Sequence, residues 1–166
     1  MKVKDVMIQD VYKVRRDATV KAVLELFSER RISGVPIVDE SDHVIGYISD
    51  GDIMRHLATR VPIGRHPFVD ALTYYYGVNI EDAASGGNIS PDEFREQVEA
   101  ASTTSALEVG GHSVRTIHED SELADVVQML AKENIKKVPV VRKDVLVGIV
   151  SRGDVVRTIV HRVLSL

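Results

Sequence analysis

Two short segments hold the residue types that could do chemistry: Ser49-Asp50-Gly51-Asp52 and Ser151-Arg152-Gly153-Asp154. Each places an aspartate three positions after a serine, with a glycine between, directly behind an apolar run, Gly46-Tyr47-Ile48 or Gly148-Ile149-Val150. A helix that opens straight off a strand leaves backbone N–H groups unpaired at the positive end of its dipole, which suits a phosphate. The serine adds a hydroxyl there. One turn on, a carboxylate can accept both hydroxyls of a ribose, and the glycine leaves room for close approach. The same residues also read as a capping box, in which serine caps the helix and the acid reaches back to the cap N–H. In a single occurrence capping is the commoner role, and the spacing alone leaves both readings open.

The elements that must position these segments are written twice. Val35-Pro36-Ile37-Val38 returns as Val138-Pro139-Val140-Val141, with the prolines 103 positions apart and Asp52 and Asp154 102 positions apart. Such an internal repeat fixes the architecture before any residue is given a role. Upstream, Val20, Val23, Leu24 and Phe27 fall on Leu123, Val126, Val127 and Leu130, and both sets follow the i, i+3, i+4, i+7 rhythm of one helical face. Asp17-Ala18-Thr19 and Asp120-Ser121-Glu122 supply N-cap chemistry ahead of those helices. β-Branched runs follow, then a polar turn (Asp39 to His43; Arg142 to Asp144), a second strand (Val44 to Ile48; Val145 to Val150) and a second helix from about Asp50 and Arg152. Each repeat is predicted as strand, helix, strand, strand, helix.

This β-α-β-β-α unit, with its hydrophobic-Pro-hydrophobic-hydrophobic strand and its Gly-hydrophobic-hydrophobic-Ser-x-x-Asp junction, resembles the cystathionine-β-synthase (CBS) domain, present as a tandem pair. The resemblance covers residues 1 to 57 and about 105 to 160. It implies an α/β (α+β) fold of two CBS units in a pseudo-twofold arrangement, 1–57 and 105–166, with a largely helical insertion over 58–104. It further implies two clefts between the units that, in many relatives, bind adenosine-containing ligands. In that context the two serine–aspartate junctions become nucleoside contacts, with capping compatible in the same side chains. Carried over by position, Met7, Tyr12, Ile32 and Ser33 would complete a cleft with Ser151 and Asp154. Gly110, Arg115, Ile135 and Lys136 would complete one with Ser49 and Asp52. For Met7, Ile32 and Ile135 the competing role is core packing, the commoner fate of apolar side chains at element ends.

Charge separates the two clefts. Arg152 lies between Ser151 and Asp154, where the first repeat has Asp50, so a phosphate would meet a cation at one junction and an anion at the other. Lys136 and Lys137 stand where relatives often place a basic side chain near the phosphates, against neutral Ser33 and Gly34; their alternative is a solvated pair on a loop. The Asp154 cleft is therefore expected to take a phosphorylated ligand. The Asp52 cleft is expected to stay empty or to take an adenosyl compound of little negative charge, such as S-adenosylmethionine.

Composition sets the remaining bounds. At 166 residues with 44% hydrophobic content, the chain can build one compact module or two small domains sharing a core. A net charge of −4, from 21 basic and 25 acidic residues, argues against a general nucleic-acid binder. The absence of cysteine excludes disulfides, thiolate metal sites and a cysteine nucleophile. No apolar run reaches membrane-spanning length and Met1-Lys2-Val3-Lys4-Asp5 lacks a signal-peptide character, so a cytoplasmic protein without a membrane partner is expected. His43, His56, His66, His112, His118 and His161 show no metal-site spacing, and no Ser, His and Asp set can be nominated for catalysis. Neither an enzymatic activity nor a required cofactor is expected.

The insertion departs from the short linker of relatives and exceeds most loops of compact domains. Phe68, Val69, Leu72, Tyr75 and Tyr76 form a helical apolar stripe after Pro67, and Ser90-Pro91-Asp92-Glu93 is a helix start whose helix should run to about Ala101. Asp82 to Asn88 reads as a polar loop, and Gly86-Gly87 lacks the Lys-Ser/Thr of a phosphate loop. Tyr74-Tyr75-Tyr76, with no interleaved basic residues, suits packing or a dimer contact better than base stacking. Arg65-His66-Pro67 is a surface-loop cluster that could lie near a phosphate.

Two functions follow from this reading. One is a regulatory ligand-sensing module that binds AMP, ADP, ATP or S-adenosylmethionine, changes the orientation of its units and signals to a partner protein. The other is a ligand-free structural, protein-interaction and dimerisation module in which the junctions only cap helices. The resemblance also implies a homodimer, to which the helices after Asp52 and Asp154 could contribute Ile53, Leu57, Val155, Val156, Ile159, Val160 and Val163; these could equally be core.

Overall fold

The computed structural model describes residues 1–60, 90–133, 135–162 and 164. The first repeat contains β1 (Val14–Arg15), α1 (Val20–Arg30), β2 (Gly34–Val38), β3 (Val44–Ser49) and α2 (Asp50–Arg60). After α3 (Pro91–Ser102) and α4 (Ala106–Gly110), the second repeat contains β4 (Ile117–His118), α5 (Leu123–Lys132), β5 (Lys137–Arg142), β6 (Val145–Ser151) and α6 (Arg152–Arg162). Among the described residues these six α-helices accompany two three-stranded sheets, β1-β2-β3 and β4-β5-β6, and a 3₁₀ turn at Val3–Asp5. The strand, helix, strand, strand, helix order expected of each repeat is the order observed.

Local chemistry explains the boundaries. Thr19 is the N-cap of α1, its hydroxyl oxygen accepting from the Ala22 N–H at 3.3 Å, and the helix closes at Arg31, which takes the left-handed conformation at φ 53°. Glu122 and Asp125 exchange backbone contacts as the capping box of α5. In the insertion, Pro91 opens α3 while Ser90 accepts from the Glu93 N–H at 3.2 Å and Glu93 accepts from the Ser90 N–H at 2.7 Å. That helix ends at Ser102, one residue past its expected end. The apolar stripe from Phe68 to Tyr76, the Arg65-His66-Pro67 cluster and the Asp82 to Asn88 segment lie outside the described residues.

The sheets bring strand ends to the junctions. β4 runs parallel to β5, pairing Ile117 with Val140, whereas β5 and β6 are antiparallel with Lys137 opposite Ser151 and Arg142 opposite Val145. The start of β5 therefore lies beside the end of β6. In the first sheet, β1 is parallel to β2 with Val14 opposite Ile37. There the Asp50 N–H donates to the Ser33 carbonyl at 2.9 Å, and the Arg152 N–H makes the matching bond to the Lys136 carbonyl at 3.1 Å.

The compact units of the fold do not coincide with the repeats. One gathers Met1–Arg15, Val35–Gly46 and Ser113–Leu166; the other gathers Arg16–Gly34 and Tyr47–His112. The first has a core of Val3, Ile117, Val126, Leu130, Val138, Val140, Val150 and Val155, on which Met7, Ile135 and Val147 pack. The leading segment is bound into it by backbone bonds: Val3 N–H to Ser121, Lys4 N–H to Glu119, and a reciprocal pair between Ile8 and Ile149, all at 2.9 Å. The second unit buries Val20, Val23, Ile48, Ile53, Ala58, Ala101, Ala106 and Leu107. Within it the Val20 N–H reaches the Thr104 carbonyl at 2.9 Å and the Ala106 N–H reaches Ala18 at 2.8 Å.

Of the residues weighed between core and dimer contact, Ile53 and Val155 are buried core, whereas Val156 and Ile159 are exposed. Leu57 and Val160 are half-buried and Val163 lies outside the described residues.

Candidate functional site

The two serine–aspartate junctions have the same internal geometry. At the first, Asp52 Oδ2 accepts from the Ser49 N–H at 2.8 Å and from the Ser49 hydroxyl at 2.6 Å, while Ser49 Oγ accepts from the Asp52 N–H at 3.4 Å. At the second, Asp154 Oδ2 accepts from the Ser151 N–H at 2.7 Å and its hydroxyl at 2.6 Å, and Ser151 Oγ accepts from the Asp154 N–H at 3.2 Å. Both are capping boxes closed in each direction. The other carboxylate oxygen meets an arginine one turn on: Arg55 Nη2 donates to Asp52 Oδ1 at 2.5 Å, and Arg157 Nη2 donates to Asp154 Oδ1. Burial differs, since the Asp154 side chain is 7% exposed and that of Asp52 is 22% exposed. A carboxylate as enclosed as Asp154 is tenable because it is hydrogen-bonded and charge-paired.

Arg55 and Arg157 escaped the sequence reading. Their signal was available: Asp52-Ile53-Met54-Arg55 returns as Asp154-Val155-Val156-Arg157 at the spacing that relates the two aspartates. An i, i+3 Asp/Arg pair on a helix is so common that it draws no notice without the junction it serves. Arg152, by contrast, was assigned to a phosphate. In the structure its Nε donates to the Ile135 carbonyl at 2.9 Å and its Nη2 to the Leu130 carbonyl at 3.0 Å. Leu130 lies in the last turn of α5, where helix carbonyls lack intrahelical partners and attract a cation.

The remaining nominated residues fall in both units. In the first unit, Met7 packs on Gly148, where an added Cβ would lie 2.5 Å from the Met7 sulfur, so it stands against the strand leading to Ser151 and Asp154. Tyr12 belongs to the same unit and is exposed. In the second unit, Gly110 packs on the strand leading to Ser49: a Cβ there would lie 2.2 Å from the Tyr47 carbonyl oxygen and 2.7 Å from Ile48 Cβ. The loop residues are placed by backbone bonds within their own repeat. Ser33, with Ile32 before it, stands at the Ser49–Asp52 junction, and Lys136, with Ile135, stands at Ser151–Asp154. The reason is the hairpin: the second strand of each repeat folds back and ends beside the start of the first. Lys137 is half-buried opposite Ser151 on β5, and the exposed Arg115 pairs with Glu133 at 2.8 Å in the first unit.

A feature without counterpart in the second repeat marks the first junction. Tyr47, matched by Ile149, places its hydroxyl where a Cβ on Gly34 would lie 2.5 Å away, which explains the glycine next to Ser33. Burial, with the negative charges of Asp52 and Asp50, pushes the Tyr47 phenol well above its ordinary range, so it remains a proton donor. Beside Asp52 in the same unit lies a hollow of about 310 Å³ lined by Asp52, Arg55, His56, Arg60, Thr104 and Glu108, among others. Among the described residues no cluster of His, Asp or Glu is arranged to hold a metal ion, and no helix is long and apolar enough to cross a membrane.

Repeat, sheet order and paired junctions define a tandem of small α+β units, each presenting a serine-tethered aspartate at a helix start. The chain belongs to the CBS domain family, whose family model matches residues 3–59 and 108–161, more than half of its length. It is 27% identical over 161 residues to the uncharacterised protein MJ1426 of Methanocaldococcus jannaschii, covering 96% of this chain and 92% of that one. It is 27% identical over 159 residues to the chloroplastic CBS domain-containing protein CBSX2 of Arabidopsis thaliana, covering 90% of this chain but 58% of that one. A crystal structure of CBSX2 in complex with AMP superposes with a TM-score of 0.67 at 20% identity, over 96% of each chain. The CBS domain of a membrane protein from Sphaerobacter thermophilus superposes with a TM-score of 0.66 at 25% identity, covering 95% of this chain and 86% of that one.

Proposed function

We propose that the protein is a regulatory sensing module whose ligand is an adenine nucleotide or a related adenosyl compound, held through its ribose by Asp52 or Asp154. The observation that carries this reading is the duplicated junction. Two carboxylates stand at two helix starts, each oriented by its own serine and each paired with an arginine one turn on that an anionic tail could engage. The complex of the related CBSX2 with AMP supports an adenosyl ligand. S-Adenosylmethionine remains the alternative for a site that takes little negative charge. Of the residues named from the sequence, Met7 and Tyr12 with Ser151, Asp154, Ile135, Lys136 and Lys137, and Gly110 with Ser49, Asp52, Ile32 and Ser33, are the proposed lining in each unit. Output passes to a regulated partner or to a homodimer, for which the exposed Val156 and Ile159 of α6 offer an apolar face.

A second reading draws on one observation: both capping boxes are already closed, so the junctions have a structural task without any ligand. Thermal unfolding with AMP, ADP, ATP and S-adenosylmethionine separates the two, because a ligand of the native state raises the midpoint. The sensing reading expects a saturable rise that Asp52→Ala, Asp154→Ala or both reduce by the equivalent of about 2 kcal/mol of binding or more. No rise with any of the four compounds would leave the interaction module as the function.

A further inference from the structure

The two repeats carry the same helix pair, α1 with α2 and α5 with α6, yet they enclose it differently. In the first repeat Leu24, Met54 and Leu57 are half-buried and Ala58 is 2% exposed. Their counterparts in the second repeat are Val127, Val156 and Ile159, which are 38%, 58% and 40% exposed, and the half-buried Val160. The insertion sets α3 against both α1 and α2, with His56 Nε2 of α2 lying 3.0 Å from the Ala101 carbonyl in the last turn of α3. Helices α5 and α6 pack on each other and leave those three side chains open to solvent.

The open face is not composed for water. On α5 the exposed Ala124, Val127 and Ala131 recur at i, i+3 and i+7, where α1 carries Lys21, Leu24 and Ser28. On α6, Val156, Ile159 and Val160 make a second stripe at i, i+3 and i+4. Single exposed apolar residues are ordinary, but a stripe on each of two packed helices is the mark of an interaction surface.

The first repeat holds a template for the occupant. Helix α3 is amphipathic: Ala101 and Ser102 are buried, whereas Asp92, Glu93, Glu96 and Glu99 are exposed, with Arg95 its single cation. This acidic helix lies against a helix that carries Arg55 and Arg60. Helix α6 repeats those cations at the matched positions Arg157 and Arg162 and adds His161, all three exposed. An isologous contact between two copies of α6 would bring two cationic helices together, whereas an acidic helix complements the face in charge as well as in apolarity.

We propose that α5 and α6 form a docking surface for an acidic amphipathic helix of the regulated partner, held on the second repeat as α3 is held on the first. The proposal rests on the regulatory reading for its partner, and it places that partner on the helix that Asp154 opens.

The test titrates a helix-stabilised peptide with the α3 sequence, residues 90–103, into the full chain and follows the backbone amide resonances, with a scrambled peptide of the same composition as control. Expected is saturable binding that moves amides of α5 and α6, weakens about tenfold or more in Val156→Asp and in Ile159→Asp, and weakens in Arg162→Glu and at raised salt. Shifts confined to α1 and α2, equal binding of the scrambled peptide, or no saturable binding would each overturn the proposal. A wild-type dimer in sedimentation equilibrium that Val156→Asp dissociates would overturn it too, because the occupant is then a second copy. Thermal unfolding of the same samples with AMP, ADP, ATP and S-adenosylmethionine keeps the two readings apart. A rise in midpoint without peptide binding removes the docking face and leaves the sensor; peptide binding without any rise removes the sensor and leaves the face to an interaction module.

Discussion

Glu119 shows how a single side chain ties stability to pH. It is 6% exposed, and both its oxygens accept from Arg142, Oε2 at 2.8 Å. The hydrogen bond and charge of that guanidinium hold the Glu119 carboxyl below its ordinary value of 4.5. A carboxyl depressed in the folded state contributes stability above its unfolded pKa and loses it as the pH falls through the folded one. Urea midpoints measured from about pH 6 down to about pH 3 should therefore fall more steeply for the wild type than for Glu119→Gln, whose midpoint is lower at neutral pH. Equal slopes would assign the acid sensitivity to other depressed carboxyls, such as Asp39, Asp42 and Glu122. The same scale explains what was readable at the junctions: Ser49, Asp52, Ser151 and Asp154 were found because type and spacing are local properties. The carbonyl contacts of Arg152 were not, because the residues it bonds lie 17 and 22 positions earlier in the chain.

Among the elements, α4 illustrates a contact that only one residue type permits. Its last residue, Gly110, approaches the backbone of β3 so closely that a Cβ would stand 2.2 Å from the Tyr47 carbonyl oxygen. Backbone cannot yield as the end of a flexible side chain can, so Gly110→Ala should destabilise the protein by about 1–3 kcal/mol. Gly153→Ala, where the nearest atom is 3.4 Å away on Arg157, should change the chemical denaturation midpoint little, and similar losses at both positions would refute this account. Helices and strands were legible from the sequence because caps and apolar periodicity act over a few residues: α2 and α6 start at Asp50 and Arg152, and α3 has its Ser90 capping box. The backbone bonds that set Ser33 beside Asp50 and Lys136 beside Arg152 were not legible, because periodicity predicts that two strands exist but not which of their ends meet at a junction.

At the scale of the whole molecule, the leading segment Met1–Arg15 belongs to the compact unit that contains most of the second repeat, more than 100 residues away in sequence. Val3 is fully buried there with Ile117, Val126 and Val150. Val3→Ala should cost about 2 kcal/mol, from two buried methyl groups and the cavity they leave. Hydrogen exchange should locate the loss in the amides of Val140 and Val150, although the substitution lies at the other end of the chain; unchanged protection there would contradict the assignment of Val3 to that core. By itself the sequence determined the family, the repeat, the order of elements and the two serine–aspartate junctions, because each is written in residues within a few positions of one another. Only the tertiary structure decided that the leading segment with Val3 joins the core of the second repeat, that Arg55 and Arg157 hold the aspartates, and that Arg152 is bound to backbone carbonyls. Those pairings depend on which distant surfaces bury apolar area and satisfy polar groups together, and neither composition nor spacing encodes that choice locally.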